Sequence, residues 1–189
     1  MRLPSVIAVC GAKRSGKDAI SEHFVNAYGY RNVKFAAPLK AMLGQLFGFT
    51  EAQLESESKD AIDPVWQATP RKLMQYIGTD VMQYGIQDHV PGVGRTFWAE
   101  KLFRDHQPIS KLVISDLRFQ HEVDVITRHM GKDFVILKVV RRQDRQDRQE
   151  HRSELEHNDI VPDVTIVNDG TIEDLHDVVD NEISSRYFL

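Results

Sequence analysis

Apolar runs bounded by turn signals appear four or five times along the chain. Val6-Ile7-Ala8-Val9-Cys10 is apolar at every position and stops at Gly11. Val33-Lys34-Phe35-Ala36 is shorter and weaker, and Leu112-Val113-Ile114 leads into Ser115-Asp116. Phe134-Val135-Ile136-Leu137-Lys138-Val139-Val140 is the strongest run, and Val164-Thr165-Ile166-Val167 ends at Asn168-Asp169-Gly170. Short β-branched runs that are apolar on both faces suit parallel strands covered on both sides. Helical spacing fills the gaps. Residues 16–28 carry Ile20, Phe24 and Ala27, and 71–88 carry Leu73, Ile77, Val81 and Tyr84. Residues 119–130 carry Phe119, Val123, Ile126 and Met130. The last segment carries Ile172, Leu175, Val179 and Ile183, opened by a capping pair, Thr171 and Asp174. Strand alternating with helix predicts an α/β fold of three layers, with a five-stranded parallel sheet and right-handed crossovers.

No fixed-period repeat or low-complexity tract interrupts this pattern, and no Pro/Gly linker divides it. A length of 189 residues suits one domain over 1–189. Glu51–Asp63 is acidic and poor in large apolar residues, so an exposed, partly helical and mobile insertion is expected there. Cys10 is the single cysteine, so an internal disulfide is impossible and a reducing, cytoplasmic compartment is expected. No run approaches the roughly 18 apolar residues that cross a bilayer, and the first residues lack a signal-peptide pattern. A net charge of −4 argues against stable nucleic-acid binding without excluding a local site for a small anion.

Such a site is predicted at Gly11-Ala12-Lys13-Arg14-Ser15-Gly16-Lys17-Asp18. It fits G-x-x-x-x-G-K between an apolar strand and a helical pattern, the setting of a P-loop NTPase fold. Glycines at 11 and 16 let backbone N–H groups turn around phosphate oxygens, and the helix start adds its positive end. Lys17 can follow the transferred phosphoryl group, with Lys13 and Arg14 adding charge. Asp18 stands where Ser or Thr usually ligates Mg²⁺; a carboxylate is also a hard ligand, and it would lie near the substrate. As a mere first-turn residue it would still suit the helix dipole.

Residues 141–154 contain no apolar side chain, so they face solvent or ligand. Arg141, Arg145, Arg148 and Arg152 fall at i, i+4, i+7 and i+11, and from 141 to 152 five arginines outnumber three acids. A salt-bridged exposed helix would explain the run. Following a strand of a protein with a phosphate loop, it is expected instead to be an arginine lid over about 141–158, neutralising charge in phosphoryl transfer. Arg141, Arg142 and Arg145 are its catalytic candidates.

Asp116, after an apolar strand, is placed as a metal-holding carboxylate would be, or else as a helix cap. Arg118 could touch substrate or pair with Glu122. Lys40 and Arg71 are candidate ligands for a second phosphate, with Gln75 one turn beyond Arg71; each alone would more often be a surface charge. Trp98 could stack on a ligand or simply pack. The eight histidines show no metal spacing, so no zinc site is expected.

In order, these segments resemble the deoxynucleoside monophosphate kinase family of tailed phages and related viruses. Gly11–Asp18 is similar to its G-x-K-R-S-G-K-D loop and Phe35–Lys40 to F-A-x-P-L-K. Arg71–Thr79 resembles R-x-x-x-Q-x-x-G-T, followed by Phe97-Trp98. Asp116–Glu122 resembles D-V-R-F-x-N-E, His151–Glu154 resembles H-x-S-E, and Asn168–Thr171 resembles N-D/N-G-T. Ala19 stands where that family usually has threonine, and Gln120-His121 replaces its pair before the glutamate. The resemblance implies transfer of the ATP γ-phosphate to a deoxynucleoside 5′-monophosphate with Mg²⁺, in a host cytoplasm if the source is viral. It implies that Lys13, Gly16, Lys17 and Asp18 serve nucleotide and metal. Lys40, Arg71, Gln75, Trp98, Asp116 and Arg118, with Lys13 and Asp18, would bind the monophosphate, within an acceptor-binding insertion over about 45–100 and its surroundings. A homodimer would be in keeping with small kinases of this type. Animal-type phosphomevalonate kinases carry a similar loop, so another phosphorylated acceptor is the nearest alternative. A non-catalytic nucleotide switch or a nucleic-acid 5′-kinase are the others.

Overall fold

The first apolar run forms β1 (Val6–Gly11), and in the computed structural model, which describes residues 3–141 and 159–187, Val6 through Cys10 are completely buried. Strands β2 (Arg31–Val33), β3 (Leu112–Ile114), β4 (Phe134–Val140) and β5 (Val164–Val167) join it. The sheet is parallel throughout, in the order β2-β3-β1-β4-β5. Val6 pairs with Leu112 on one side and Phe134 on the other, and Leu137 pairs with Val164. The expected α/β fold with a five-stranded parallel sheet and flanking helices is therefore present.

Alternate residues divide the sheet's two faces. Ile7, Val9, Val113, Val135, Leu137 and Ile166 enter a core with Ile20 and Phe24 of α1 (Lys17–Tyr28) and Leu175, Val179 and Ile183 of α7 (Ile172–Tyr187). Val6, Ala8, Cys10, Leu112, Ile114 and Ile136 are also buried, as are Leu102 and Phe103 of α5 (Phe97–Asp105) and Val125 and Ile126 of α6 (Gln120–Met130). The Phe103 ring stacks on His129, joining α5 to α6. In α7 the expected capping pair is formed: the Asp174 N–H donates to Thr171 Oγ1 at 3.2 Å, and the Thr171 N–H donates to Asp174 Oδ2 at 2.9 Å. Ile172, expected on its buried stripe, is exposed because it lies in the first turn, outside that contact.

The chain forms two compact units, residues 1–34 with 102–189 and residues 35–101. The second unit, which contains the range expected for an insertion, has no part in the sheet. It holds α2 (Ala37–Phe47), α3 (Glu51–Glu55), a 3-10 turn over Glu57–Asp60 and α4 (Pro70–Gln75). Glu51–Asp63 is indeed partly helical, with Leu54 buried.

Three further expectations are corrected. The second strand ends at Val33 instead of running over 33–36, because Ala37 opens α2 with Pro38 in the first turn, where a missing N–H is harmless. Ala27 of α1 is exposed, the buried face being Ile20, Ser21 and Phe24. The helix expected over 71–88 is three pieces: α4, a π-helical stretch over Tyr76–Tyr84 and a 3-10 turn over Gly85–Asp88. Widening to i→i+5 bonding rotates the faces, so Val81 and Tyr84 are exposed while Gly78 and Gln83 are buried. Arg142, Arg145, Arg148 and Arg152, most of the expected lid, lie outside the described residues. Among the described residues no helix is long and apolar enough to cross a membrane.

Candidate active site

Parallel strands bring their C-terminal ends to one edge of the sheet, where ligands of open α/β sheets bind. Four predicted segments leave from that edge: the Gly11–Asp18 loop after β1, Ser115–Arg118 after β3, Arg141 after β4 and Asn168 after β5.

The loop takes a conformation that its sequence permits and most sequences would not. Gly11 has φ +140° and Gly16 φ +111°, and Arg14 is also left-handed at +64°. At Gly11 a β-carbon would lie 2.3 Å from the Val139 carbonyl oxygen, so only glycine fits. The loop feeds directly into α1, whose N-terminus has no side-chain cap. Its first N–H groups and dipole therefore face the loop, as an anion site requires. Lys17, in the first turn, lies across the loop: its Nζ donates to the carbonyls of Gly11 at 2.9 Å and Ala12 at 2.6 Å. Lys13 and Arg14 are exposed on the outer turn, while Ser15 is buried. Asp18 is largely exposed, 3.7 Å from Lys34 Nζ.

At the end of β3, Asp116 is half-buried and Arg118 exposed. Glu122 is buried, and its Oε2 accepts from the N–H of Arg118 at 2.8 Å and of Phe119 at 3.0 Å. The carboxyl group so braces the backbone that carries Arg118. Desolvation pushes its pKa up to about 8, and the Asp116 charge acts in the same direction. Burial likewise pushes the Cys10 thiol up to about 11, against the opposing charges of Lys138 and Lys17, so it stays protonated and inert. Arg141 is exposed at the end of β4.

In the second unit, Lys40 Nζ meets Glu55 Oε2 at 2.6 Å, and Arg71 grips Asp60 through both Nε and Nη2. Both candidate cations for a second phosphate are thus held by acids of the Glu51–Asp63 segment. Gln75, half-buried, is the last residue of α4. Trp98 is 8% exposed, its indole N–H donating to the Gly78 carbonyl at 2.9 Å and its ring edge-on to Phe97.

The loop geometry could serve many phosphate-binding proteins, and it is the remainder of the chain that separates them. A family model described as deoxynucleotide monophosphate kinase matches residues 57–179. The chain belongs to the deoxynucleotide monophosphate kinase family. A provisionally named deoxynucleotide monophosphate kinase of Acanthamoeba polyphaga mimivirus is 32% identical over 181 residues, covering 90% of this chain and 92% of the viral protein. Among solved structures, TT1252 of Thermus thermophilus aligns over 97% of this chain and 98% of its own, with 15% identity and a TM-score of 0.50, a likeness of fold. A sugar kinase from Janibacter sp. HTCC2649 aligns over 95% and 94% with 12% identity and a TM-score of 0.43. Membership makes this chain a nucleotide kinase, with ATP as phosphate donor and a small-molecule nucleotide as substrate.

For a kinase of this family, two buried polar residues were less legible than the loop. Glu122 reads in the sequence as a partner for Arg118, whereas its carboxyl oxygen accepts backbone N–H groups. Asn168 reads as part of a turn after the last strand. Only the strand order, which puts β5 two positions from β1, brings it to the loop.

Proposed function

We propose that the protein transfers the γ-phosphoryl group of ATP to a deoxynucleoside 5′-monophosphate, giving ADP and the deoxynucleoside diphosphate. The observation that carries this reading is the left-handed glycine loop closing on α1, with Lys17 across it, in a chain of this family. An oxygen of the acceptor's phosphate attacks the γ-phosphorus in line. One P–O bond forms as the bond to the β–γ bridging oxygen breaks, and ADP leaves with that oxygen. The protein contributes alignment and charge: loop N–H groups and Lys17 on the donor, Arg118, Lys40 and Arg71 with Gln75 on the acceptor, and Arg141, Arg142 and Arg145 on the transferred group.

Mg²⁺ suits the residues present. Among the described residues no three acidic, histidine or cysteine side chains form a metal cage. Mg²⁺ is commonly held by one or two carboxylates together with substrate phosphates and water. Asp18, exposed beside the loop, and Asp116, at the end of the adjoining strand, are hard donors of that kind. When bound, the ion would offset negative charge on the phosphates.

The test is a coupled assay of ADP release with ATP and each of dTMP, dGMP, dCMP, 5-substituted dCMP or dUMP, and dAMP, with phosphomevalonate as control. At least one deoxynucleotide should release ADP stoichiometrically, EDTA should abolish turnover, and Lys17→Met should lower kcat at least a hundredfold while the melting curve persists. Turnover with phosphomevalonate alone, or ADP release from none, would remove the reading. Normal turnover by Lys17→Met would remove the mechanism.

A further inference from the structure

Asn168 sits where β5 ends and is buried at 8% exposure. It is tied in two directions. Its backbone N–H donates to the carbonyl of Val140, the last residue of β4, at 2.8 Å. Its side-chain Nδ2 donates to the carbonyl of Ser15, inside the glycine loop, at 2.8 Å. The bond to Ser15 spans 153 residues of sequence and is buried.

The geometry of one peptide unit gives this bond a consequence. Among the described residues the sole cis peptide is Gln107–Pro108, so the Ser15–Gly16 peptide is trans. In a planar trans peptide the C=O and the next N–H point in opposite directions. Holding the Ser15 carbonyl on Asn168 therefore turns the Gly16 N–H away from Asn168. Gly16 leaves room for this arrangement: a β-carbon there would lie 2.4 Å from Asn168 Nδ2, and its φ of +111° is one that L side chains rarely adopt. Glycine is thus needed at 16 for two reasons, and Asn168 is one of them. The backbone bond to Val140 fixes the asparagine's own position, so the donor does not drift with the loop.

We propose that Asn168 is a positioning residue for the donor nucleotide: its carboxamide sets the Ser15–Gly16 peptide so that the Gly16 N–H is presented to the nucleotide's phosphates. It touches no substrate and acts through the loop. The inference rests on the loop's being the ATP phosphate site, as proposed above, but not on the identity of the acceptor.

The experiment is calorimetric titration of the full chain with ADP, alongside thermal melts without ligand, for wild type, Asn168→Asp and Asn168→Ala. Asp keeps the shape of Asn but replaces the donor with an acceptor that repels the Ser15 carbonyl; Ala removes the donor. From the usual worth of a buried hydrogen bond, Asn168→Ala should weaken ADP by about fivefold and Asn168→Asp by about tenfold or more. Both should do so at temperatures where the melts show them fully folded. A merely structural asparagine would give variants that melt earlier yet, while folded, bind ADP within twofold of wild type; that result overturns the proposal. Failure of wild type to bind ADP overturns the phosphate-site reading as well, so the two failures are told apart by the wild-type titration.

Discussion

Glycine 11 shows how a single position couples the sheet to the site. It ends β1, it has φ +140°, and the Val139 carbonyl occupies the space a β-carbon would take. The obstacle is backbone on a central strand, so it cannot swing aside as a side-chain tip could. Gly11→Ala should destabilise the fold by about 2 kcal/mol or more, read as a melting temperature lower by roughly 4–8 °C. An unchanged melt would show that the strand end yields. Glu122 makes a prediction of another kind. Its carboxyl is ordinarily half-ionised at pH 4.5 and in the fold near pH 8. Between those values the native state retains a proton that the unfolded chain has released, so this group makes stability fall as pH rises from about 4.5 to 8. Glu122→Gln keeps an oxygen for the N–H groups of Arg118 and Phe119 and cannot ionise. Its urea midpoint should fall less than that of wild type across that window. Parallel curves for the two proteins would mean that Glu122 does not titrate there.

Among the elements, legibility follows how much of the determining contact is local. Both ends of β1 and β4, the loop between β1 and α1, and the Thr171–Asp174 cap of α7 are readable because apolar runs, glycine spacing and capping partners lie within a few residues. The helical stripe Leu73-Ile77-Val81-Tyr84 misleads because the backbone after Gln75 is π-helical. The contacts within that stretch are not in the stripe: Gly78 packs close to Leu39, and its carbonyl receives the Trp98 indole N–H. Those partners are 39 and 20 residues away in sequence. The partner of the Trp98 indole lies 20 residues away, so the residues around it leave both stacking on a ligand and packing open. Trp98→Phe keeps an aromatic ring and removes the donor from Gly78. It should cost about 1–2 kcal/mol, seen in the denaturation midpoint, and leave the acceptor KM within twofold. A large rise in that KM with an unchanged midpoint would return Trp98 to the ligand.

At the scale of the molecule, a net charge of −4 conceals an uneven distribution. Cations gather at the loop and after β4, and acids gather in Glu51–Asp63, where Glu55 and Asp60 already hold Lys40 and Arg71. Of the proposed ligands, the glycine loop, Lys17 and Arg118 belong to the first unit, and Lys40 and Arg71 to the second. If the acceptor's phosphate is bound through the second unit, charge removal there should act on acceptor affinity alone. Arg71→Ala takes away a guanidinium able to make two bonds to a phosphate, and charge-assisted bonds of this kind are worth about 1.5–3 kcal/mol each. Displacing Asp60 from Arg71 offsets part of that gain, so the acceptor KM should rise by about tenfold rather than by the full hundredfold or more. The Kd for ADP, measured by calorimetry, should stay within twofold of wild type. Lys17→Met should show the opposite pattern, with ADP weakened. An Arg71→Ala variant that weakens ADP as much as the acceptor would show that the division of labour follows something other than the two units.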